Sequence, residues 1–376
     1  MKGKNYARQS ARSEAVKLIE QPNDGIAPLV SAIEGARSSI EILIFRFDQR
    51  EIEHALAAAV TRGVEVRALI AHVNGSGAAA LRQLEMRLLG AGVSVVRTGD
   101  EFTRYHAKFM IVDRQELWLL AFNLTHNDVD RSRSFGIVTR EREVVEEALR
   151  LFEADCKRQH YEAGLPQLVV SPANARQQLG DFIRAAQKEL LIYDPKISDR
   201  QMLRLLAERA AAGVEVRILG EAAQRPGLKV CKLGPMRLHT RTMVRDREYA
   251  FMGSQSLRGM ELDRRREVGF IFQDAAVVKR LVARFLEDWD LSHVPGDIQP
   301  ARRKPPATKV AKKVAKVLVN DLPPVTPVLE NTLRELAGHT NGLAIEPEDV
   351  EEAVKSAVKE AVKEAVRDVV EEAVKG

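Results

Sequence analysis

The chain has 376 residues, 45% hydrophobic and 30% charged, with 58 basic side chains against 53 acidic ones and a formal net charge of +5. That length holds two domains or one large duplicated one, and no apolar run approaches the ~18 residues of a membrane span. Cys156 and Cys231 belong to no CxxC-type pattern, which argues against a disulfide framework or a zinc site and fits a reducing cytosol; the small basic excess favours an anionic partner without identifying it.

The N-terminus is basic but lacks the apolar stretch of a signal peptide. "RSARSEAVKLIEQPNDG" reads as a short helix and turn, so residues 1–24 are expected to be a helical segment leading into the first domain.

From residue 25 the chain is written twice. "AIEGARSSIEILIFRFDQREIEHALAAAVTRGVEVRALI" aligns without a gap to "FIRAAQKELLIYDPKISDRQMLRLLAERAAAGVEVRILG". Each copy reads as a helix end, a short apolar strand (Ile40 to Phe45; Leu190 to Tyr193), a second helix, and the pentapeptide "GVEVR" (Gly63 to Arg67; Gly213 to Arg217). The glycines sit at helix C-caps, and the alternating Val-Glu-Val begins a strand. Strand, helix, strand in this order predicts a parallel pair with a right-handed crossover, hence an α/β layered unit. The expected units are repeat 1 over residues 25–160 and repeat 2 over residues 161–292.

"RYHAKFMIVD" carries His106, Lys108 and Asp113, and "RLHTRTMVRD" carries His239, Arg241 and Asp246 at the same spacing, after a shorter connection in the second copy. The register then holds as far as Leu151–Asp155 against Arg284–Asp288. Repeats usually report a stacked core, but packing does not explain a polar trio kept in both halves. Alternation along one strand would put His106, Lys108 and Met110 on one face and Ala107, Phe109 and Ile111 on the other. If the halves pack about a pseudo-two-fold axis, two histidines and two cations converge on one cleft that fits a phosphate diester. One imidazole would attack phosphorus, while the other protonates the leaving oxygen and later activates water or an alcohol. Lys108 and Arg241 would hold the non-bridging oxygens. His106, whose half keeps the complete trio, is assigned as nucleophile and His239 as acid. This chemistry calls for no metal or other cofactor.

At these residues the sequence resembles a family. "HAKFMIVD" is similar to the HxKxxxxD signature of the phospholipase D superfamily, the second copy is a variant with Arg241 for lysine, and the layout looks like that of bacterial cardiolipin synthase-like proteins. The resemblance covers roughly Gly25 to Ser292. It implies an internally duplicated α/β fold, two mixed-sheet halves around a pseudo-two-fold axis, followed by a C-terminal helical tail. It also implies His106, Lys108, Asp113, His239, Arg241 and Asp246 as the catalytic set. Of the family's Gly-Ser-x-Asn element, "GSQS" (Gly253 to Ser256) retains Gly and Ser, and "LAFN" (Leu120 to Asn123) retains Asn. By that pattern Ser254 and Asn123 bond the phosphate or the catalytic side chains. Glu267 matches the acidic position that orients a histidine, and its counterpart in the first half is Ser134. The implied activity is a metal-independent phosphodiesterase or phosphatidyltransferase acting on phospholipid. A nuclease on the same scaffold is the first alternative. A phosphate- or membrane-binding module without turnover is the second, because Arg241 and the incomplete Gly-Ser-x-Asn elements depart from the pattern.

After Ser292 the composition changes. Residues 293–330 read as a Pro-rich basic linker in which Arg302, Arg303, Lys304, Lys309, Lys312, Lys313 and Lys316 face no interleaved acid. Such an arm suits an anionic membrane surface or nucleic acid. Residues 331–376 read as a helical tail whose Ala-Val pairs recur every four residues between Glu and Lys. That stripe winds slowly around the helix, which is either solvated, self-associating or laid on a membrane surface. The expected location is cytoplasmic, peripheral at the inner membrane face.

Overall fold

The computed structural model describes residues 16–72, 78–234 and 236–292; the basic linker and the helical tail lie outside the described residues. The first half runs β1 (Val16–Gln21), α1 (Ala27–Gly35), β2 (Ser39–Ile44), α2 (Arg50–Thr61), β3 (Glu65–Ile70), α3 (Ala78–Gly90), β4 (Ser94–Arg97), β5 (Arg104–Tyr105), β6 (Phe109–Val112), β7 (Glu116–Leu120), α4 (His126–Asp130), β8 (Ser132–Thr139) and α5 (Arg142–Cys156). The second runs β9 (Leu168–Ser171), α6 (Ala175–Arg184), β10 (Glu189–Ile197), α7 (Arg200–Ala211), β11 (Glu215–Ala222), β12 (Leu228–Cys231), β13 (Arg237–Leu238), β14 (Arg241–Arg245), β15 (Tyr249–Gly253), α8 (Gly259–Asp263), β16 (Arg265–Phe272) and α9 (Ala275–Ser292). Element for element the halves correspond, except that α3 has no counterpart. That is where the second copy is shorter.

Each half builds a mixed sheet. The order β1-β8-β7-β6-β2-β3-β4 in the first is repeated in the second as β9-β16-β15-β14-β10-β11-β12. The β2–β3 and β10–β11 pairs are parallel, as the strand–helix–strand pattern predicts, and β6 and β14 run antiparallel to β2 and β10. β2 and β8 are buried along their whole length, which requires both faces of the sheet to be covered and explains the near-continuous apolar run of β2 from Ile42. α2 buries Ile52, Ala55, Leu56 and Ala59, a single helical stripe, and ends at Gly63 with φ +88; α7 ends likewise at Gly213 with φ +92. No helix among the described residues is long and apolar enough to cross a membrane.

Two expectations need correction. Val16–Gln21 is a strand, not part of a helix: its Leu18 and Ile19 are buried, and it zips antiparallel onto β8. It is the first strand of repeat 1, matched by β9 in repeat 2, so the repeat begins before residue 25. Tertiary pairing with β8 overrides the local helical pattern. Nor do His106 and Lys108 lie within one strand with Asp113. They occupy the crossing between β5 and β6, where the His106 and Ala107 N–H groups donate to the Arg266 carbonyl of the other half. The expected alternation survives nonetheless. Ala107, Phe109 and Ile111 enter the core shared by the two halves, while Met110 faces the core beneath α1 and α2.

The halves are locked by reciprocal contacts. β5 pairs with β16 and β13 pairs with β8, so each half lends a two-residue strand to the other. Arg133 binds Asp288 at 2.8 Å, and Arg266 binds Asp155 at 3.0 Å; all four side chains are buried. These pairs occupy equivalent positions in the two copies, so the interface has approximate two-fold symmetry. Tyr193 packs edge-on against Phe135 and Phe285 at 5.6 and 5.0 Å in the apolar centre and donates its hydroxyl to Asp288 at 2.7 Å.

Candidate active site

The exchanged strands deliver the two histidines to one place. His239 repeats the anchoring of His106, with the N–H groups of His239 and Thr240 donating to the Arg133 carbonyl. The same arginines that pair across the interface therefore also fix the backbone under each imidazole. His106 and His239 line an open pocket of about 480 Å³, together with Phe45, Arg46, Phe47, Asp48, Arg104, Asn123, Asp128 and Arg237 among others.

The surroundings of the two imidazoles differ. His106 Nδ1 lies 2.8 Å from Glu267 Oε2, a carboxylate that is buried and belongs to the other half. Donation from Nδ1–H to Glu267 leaves the lone pair on Nε2, with the Lys108 ammonium 3.0 Å from that atom. Lys108 also donates to the His106 carbonyl at 2.6 Å. Burial holds His106 well below its usual range, and the Lys108 and Arg241 charges push it further, so the ring is neutral at pH 7. Burial also lowers Lys108 to about 7, against the pull of the Glu267 carboxylate. Glu267 itself is raised by its burial, with Lys108 and the Ser254 hydroxyl acting the other way.

His239 has no such acid on its Nδ1, which is buried without a hydrogen-bond partner. Ser134, the counterpart of Glu267, is fully buried and its hydroxyl likewise lacks a partner. The carboxylate near His239 comes from another position: Asp128 Oδ2 lies 3.5 Å from Nε2. Asp128 is held by the N–H and the amide of Asn123 at 3.0 and 2.6 Å and by Arg237 at 2.5 Å. Burial works against its ionisation, but His239 and Arg237 outweigh it and keep the carboxyl below the usual range. Burial, then the Arg241 charge, push His239 well below its usual range, against the pull of the Asp128 carboxylate. Arg241 mirrors Lys108 by donating to the His239 carbonyl at 2.8 Å, and its Nε reaches the Ser256 hydroxyl at 3.2 Å.

Of the residues singled out in the sequence, His106, His239 and Asn123 line the pocket, Lys108 and Arg241 brace the histidines, and Glu267 orients His106. Ser254 is buried behind Glu267, accepting from the Val268 N–H at 3.1 Å. Asp113 and Asp246 stand apart from the site. Each opens a three-residue hairpin connection whose first two residues both have positive φ, Asp113–Arg114 and Asp246–Arg247. The Asp113 carboxylate accepts from the N–H groups of Arg37, Ser38 and Ser39, and Asp246 from those of Gln187, Lys188 and Glu189. Five residues at about 3.3 Å each separate Lys108 from Asp113, so the aspartate lies at the opposite end of the strand. The motif joins a chemical end to a structural end.

Sequence reasoning missed Arg104 and Arg237, which precede each histidine by the same interval, and Asp128 with its counterpart Glu261, an acid in both copies. Those repeats were visible in the aligned halves. Glu261 accepts from the Ser256 N–H at 2.8 Å, as Asp128 does from Asn123. Phe45 aligns with Pro195 and carried no repeat signal, whereas Arg46 aligns with another basic residue, Lys196.

Comparison with known proteins agrees with the duplication. The family model described as "Cardiolipin synthase, PLD-like domain" matches residues 29–156 and 179–289. A mitochondrial cardiolipin hydrolase of Danio rerio is 32% identical over 134 residues, covering 34% of this chain and 56% of that one. A probable cardiolipin synthase of Bacillus subtilis, YwiE, is 23% identical over 330 residues, covering 73% of this chain and 65% of that one. The chain thus spans less than two thirds of the length of either relative. Among solved structures, a polyphosphate kinase from Porphyromonas gingivalis superposes with a TM-score of 0.62 at 18% identity, over 72% of this chain and 46% of its own; likeness at that identity shows the fold alone.

Proposed function

This chain belongs to the phospholipase D superfamily, to the family of cardiolipin synthase-type domains, and from that membership we propose that it is a phosphodiesterase or phosphatidyltransferase working through a covalent phosphohistidine on His106. One observation carries the choice of nucleophile: His106 alone of the two histidines has an acid, Glu267, on Nδ1. The carboxylate fixes the tautomer and offsets the positive charge that the ring gains on attack.

The Nε2 lone pair of His106 forms the N–P bond as the P–O bond to the leaving alcohol breaks, and the departing oxygen takes a proton from His239. A bound phosphodiester brings the negative charge that offsets Lys108 and Arg241, which lets His239 hold that proton in the complex. Water or an acceptor alcohol then gives a proton to His239 while its oxygen attacks phosphorus. The P–N bond breaks, and the electron pair returns to Nε2. Lys108 and Arg241 supply positive charge to the non-bridging oxygens. The family and the names of both relatives favour a phospholipid substrate.

The test is to quench a reaction on vesicles of phosphatidylglycerol, labelled in the phosphate, in the presence of chelator. Label is expected on His106, and none is expected in His106→Asn. Label on His239, or full turnover by His106→Ala or His239→Ala, would overturn the assignment. Cleavage of DNA in place of lipid would move the substrate to nucleic acid while leaving the chemistry in place.

A further inference from the structure

The cross-strand pair behind each histidine joins one long polar side chain to one short one, and the two halves place them in opposite order. In the second half Glu267 on β16 stands opposite Ser171 on β9; in the first, Ser134 on β8 stands opposite Gln21 on β1. The positions correspond through the repeat, Gln21 with Ser171 and Ser134 with Glu267. All four side chains are fully buried. Directly opposite residues of an antiparallel pair share one face of the sheet, so Gln21 and Ser134 stand together as Ser171 and Glu267 do. Arg133 donates to the Gln21 carbonyl at 3.2 Å and Arg266 to the Ser171 carbonyl at 3.1 Å, which pins the strands alike in the two halves.

Behind His239 three buried polar atoms have no hydrogen-bond partner among the described residues: Gln21 Oε1, Ser134 Oγ and His239 Nδ1. The Gln21 amide lies 2.7 Å from the Gly25 carbonyl, which can only accept, so Nε2 points there and Oε1 is left as an acceptor. On the other side of the pseudo-two-fold axis, Glu267 meets His106 Nδ1 directly at 2.8 Å. Serine is too short to do the same for His239, and the long polar side chain comes instead from the neighbouring strand. A buried water typically makes about three hydrogen bonds, and three polar atoms are assembled here. The Arg241 charge that acts on His239 disfavours a cation at this point, and the Gln21 oxygen disfavours an anion.

We propose that Gln21 and Ser134 are positioning residues for His239, holding its Nδ1 through one buried water. Gln21 Oε1 and Ser134 Oγ fix the water, and the water accepts from Nδ1–H when both ring nitrogens are protonated. His239 thereby has a neutral acceptor where His106 has a carboxylate. The difference suits the two roles proposed above. A ring that stays charged for the lifetime of a phosphohistidine has a counter-charge, while a ring that must release its proton to the leaving oxygen has none on Nδ1. The inference rests on that reading and deepens it.

A crystal structure of the full chain tests the placement without turnover, so it stays readable if the proposed reaction fails or a variant does not fold. Density for one water is expected within about 3.2 Å of His239 Nδ1, Ser134 Oγ and Gln21 Oε1. Direct contact of Nδ1 with either side chain, or a dry site, would overturn the relay. Kinetics test its role. Gln21→Ser takes away the fixed acceptor and should lower turnover of phosphatidylglycerol by roughly 2- to 12-fold, the scale of one neutral hydrogen bond. On a p-nitrophenyl phosphodiester, whose leaving group needs no proton, the burst of nitrophenolate should keep its rate within about twofold. Adding Ser134→Gln to Gln21→Ser moves the amide to the strand that carries Glu267 in the other half, and should bring lipid turnover back to within about twofold of the parent. No loss in Gln21→Ser, equal losses on the two substrates, or no recovery in the paired variant would overturn the positioning role.

Discussion

Glu267→Gln isolates the charge on which the choice of nucleophile depends. The glutamine keeps the shape and can still accept from His106 Nδ1 through its amide oxygen, so the 2.8 Å contact survives as a neutral hydrogen bond. What is lost is the charge assistance in a site where both partners are buried, Glu267 fully so. A hydrogen bond to a charged group is worth about 1.5–3 kcal/mol against about 1 for a neutral one. The difference, about 0.5–2 kcal/mol, appears only as His106 gains positive charge, so kcat should fall by roughly 2- to 30-fold with KM little changed. A second readout follows from Lys108. Burial lowers its ammonium to about 7, and the Glu267 carboxylate resists that shift. Removing the carboxylate lowers Lys108 further. Because the charged form lies below the folded pKa and is lost above it, the alkaline limb of kcat/KM should move from about 7 to lower pH. Steady-state kinetics on phosphatidylglycerol micelles across pH 5 to 9 (about neutral at the centre) measures both quantities. Unchanged kcat, or a limb that moves to higher pH, would refute the reasoning.

Lys108→Arg should remove the alkaline limb, since guanidinium does not titrate in this range, while keeping measurable turnover; a pH–rate profile decides it. Arg266→Met leaves Asp155 buried without its cation and should cost about 3–5 kcal/mol in urea unfolding, with much of the loss recovered by adding Asp155→Leu. Asp113→Ala should leave kcat within about twofold but cost about 1–3 kcal/mol, because three backbone N–H groups lose their acceptor. Burial tends to raise Asp113, but the N–H groups of Ser38 and Arg37 outweigh it and hold the carboxyl low, so its contribution is present above about pH 4 and fades as pH falls through the lowered value. Thermal melts between about pH 2 and 7 on both proteins should therefore converge at the acid end.

The aligned copies in the sequence carried the duplication, the parallel strand pairs and the two histidines, because each depends on periodicity or local order along the chain. Gly63 and Gly213 end their helices with positive φ as the repeated "GVEVR" implied. The same local reading misled at the stretch around Val16, which looked helical until β8 supplied a strand partner. Asp113, implied as catalytic by the resemblance, accepts backbone N–H groups at the end of the strand away from the histidines, and spacing along a strand does not say which end faces the site. Which histidine Glu267 orients was decided only by tertiary structure. Glu267 reaches His106 across 161 positions and Arg266 reaches Asp155 across 111, through contacts that exist because two sheets exchange short strands over a shared apolar centre. Docking of the halves also made the two histidines unequal: a carboxylate at position 267 and a hydroxyl at 134 are one change in an alignment, yet they give one imidazole a charged partner and leave the other's Nδ1 without one. Periodicity encodes which face of an element is buried, but not what stands opposite that face, and the chemistry of this site depends on the latter.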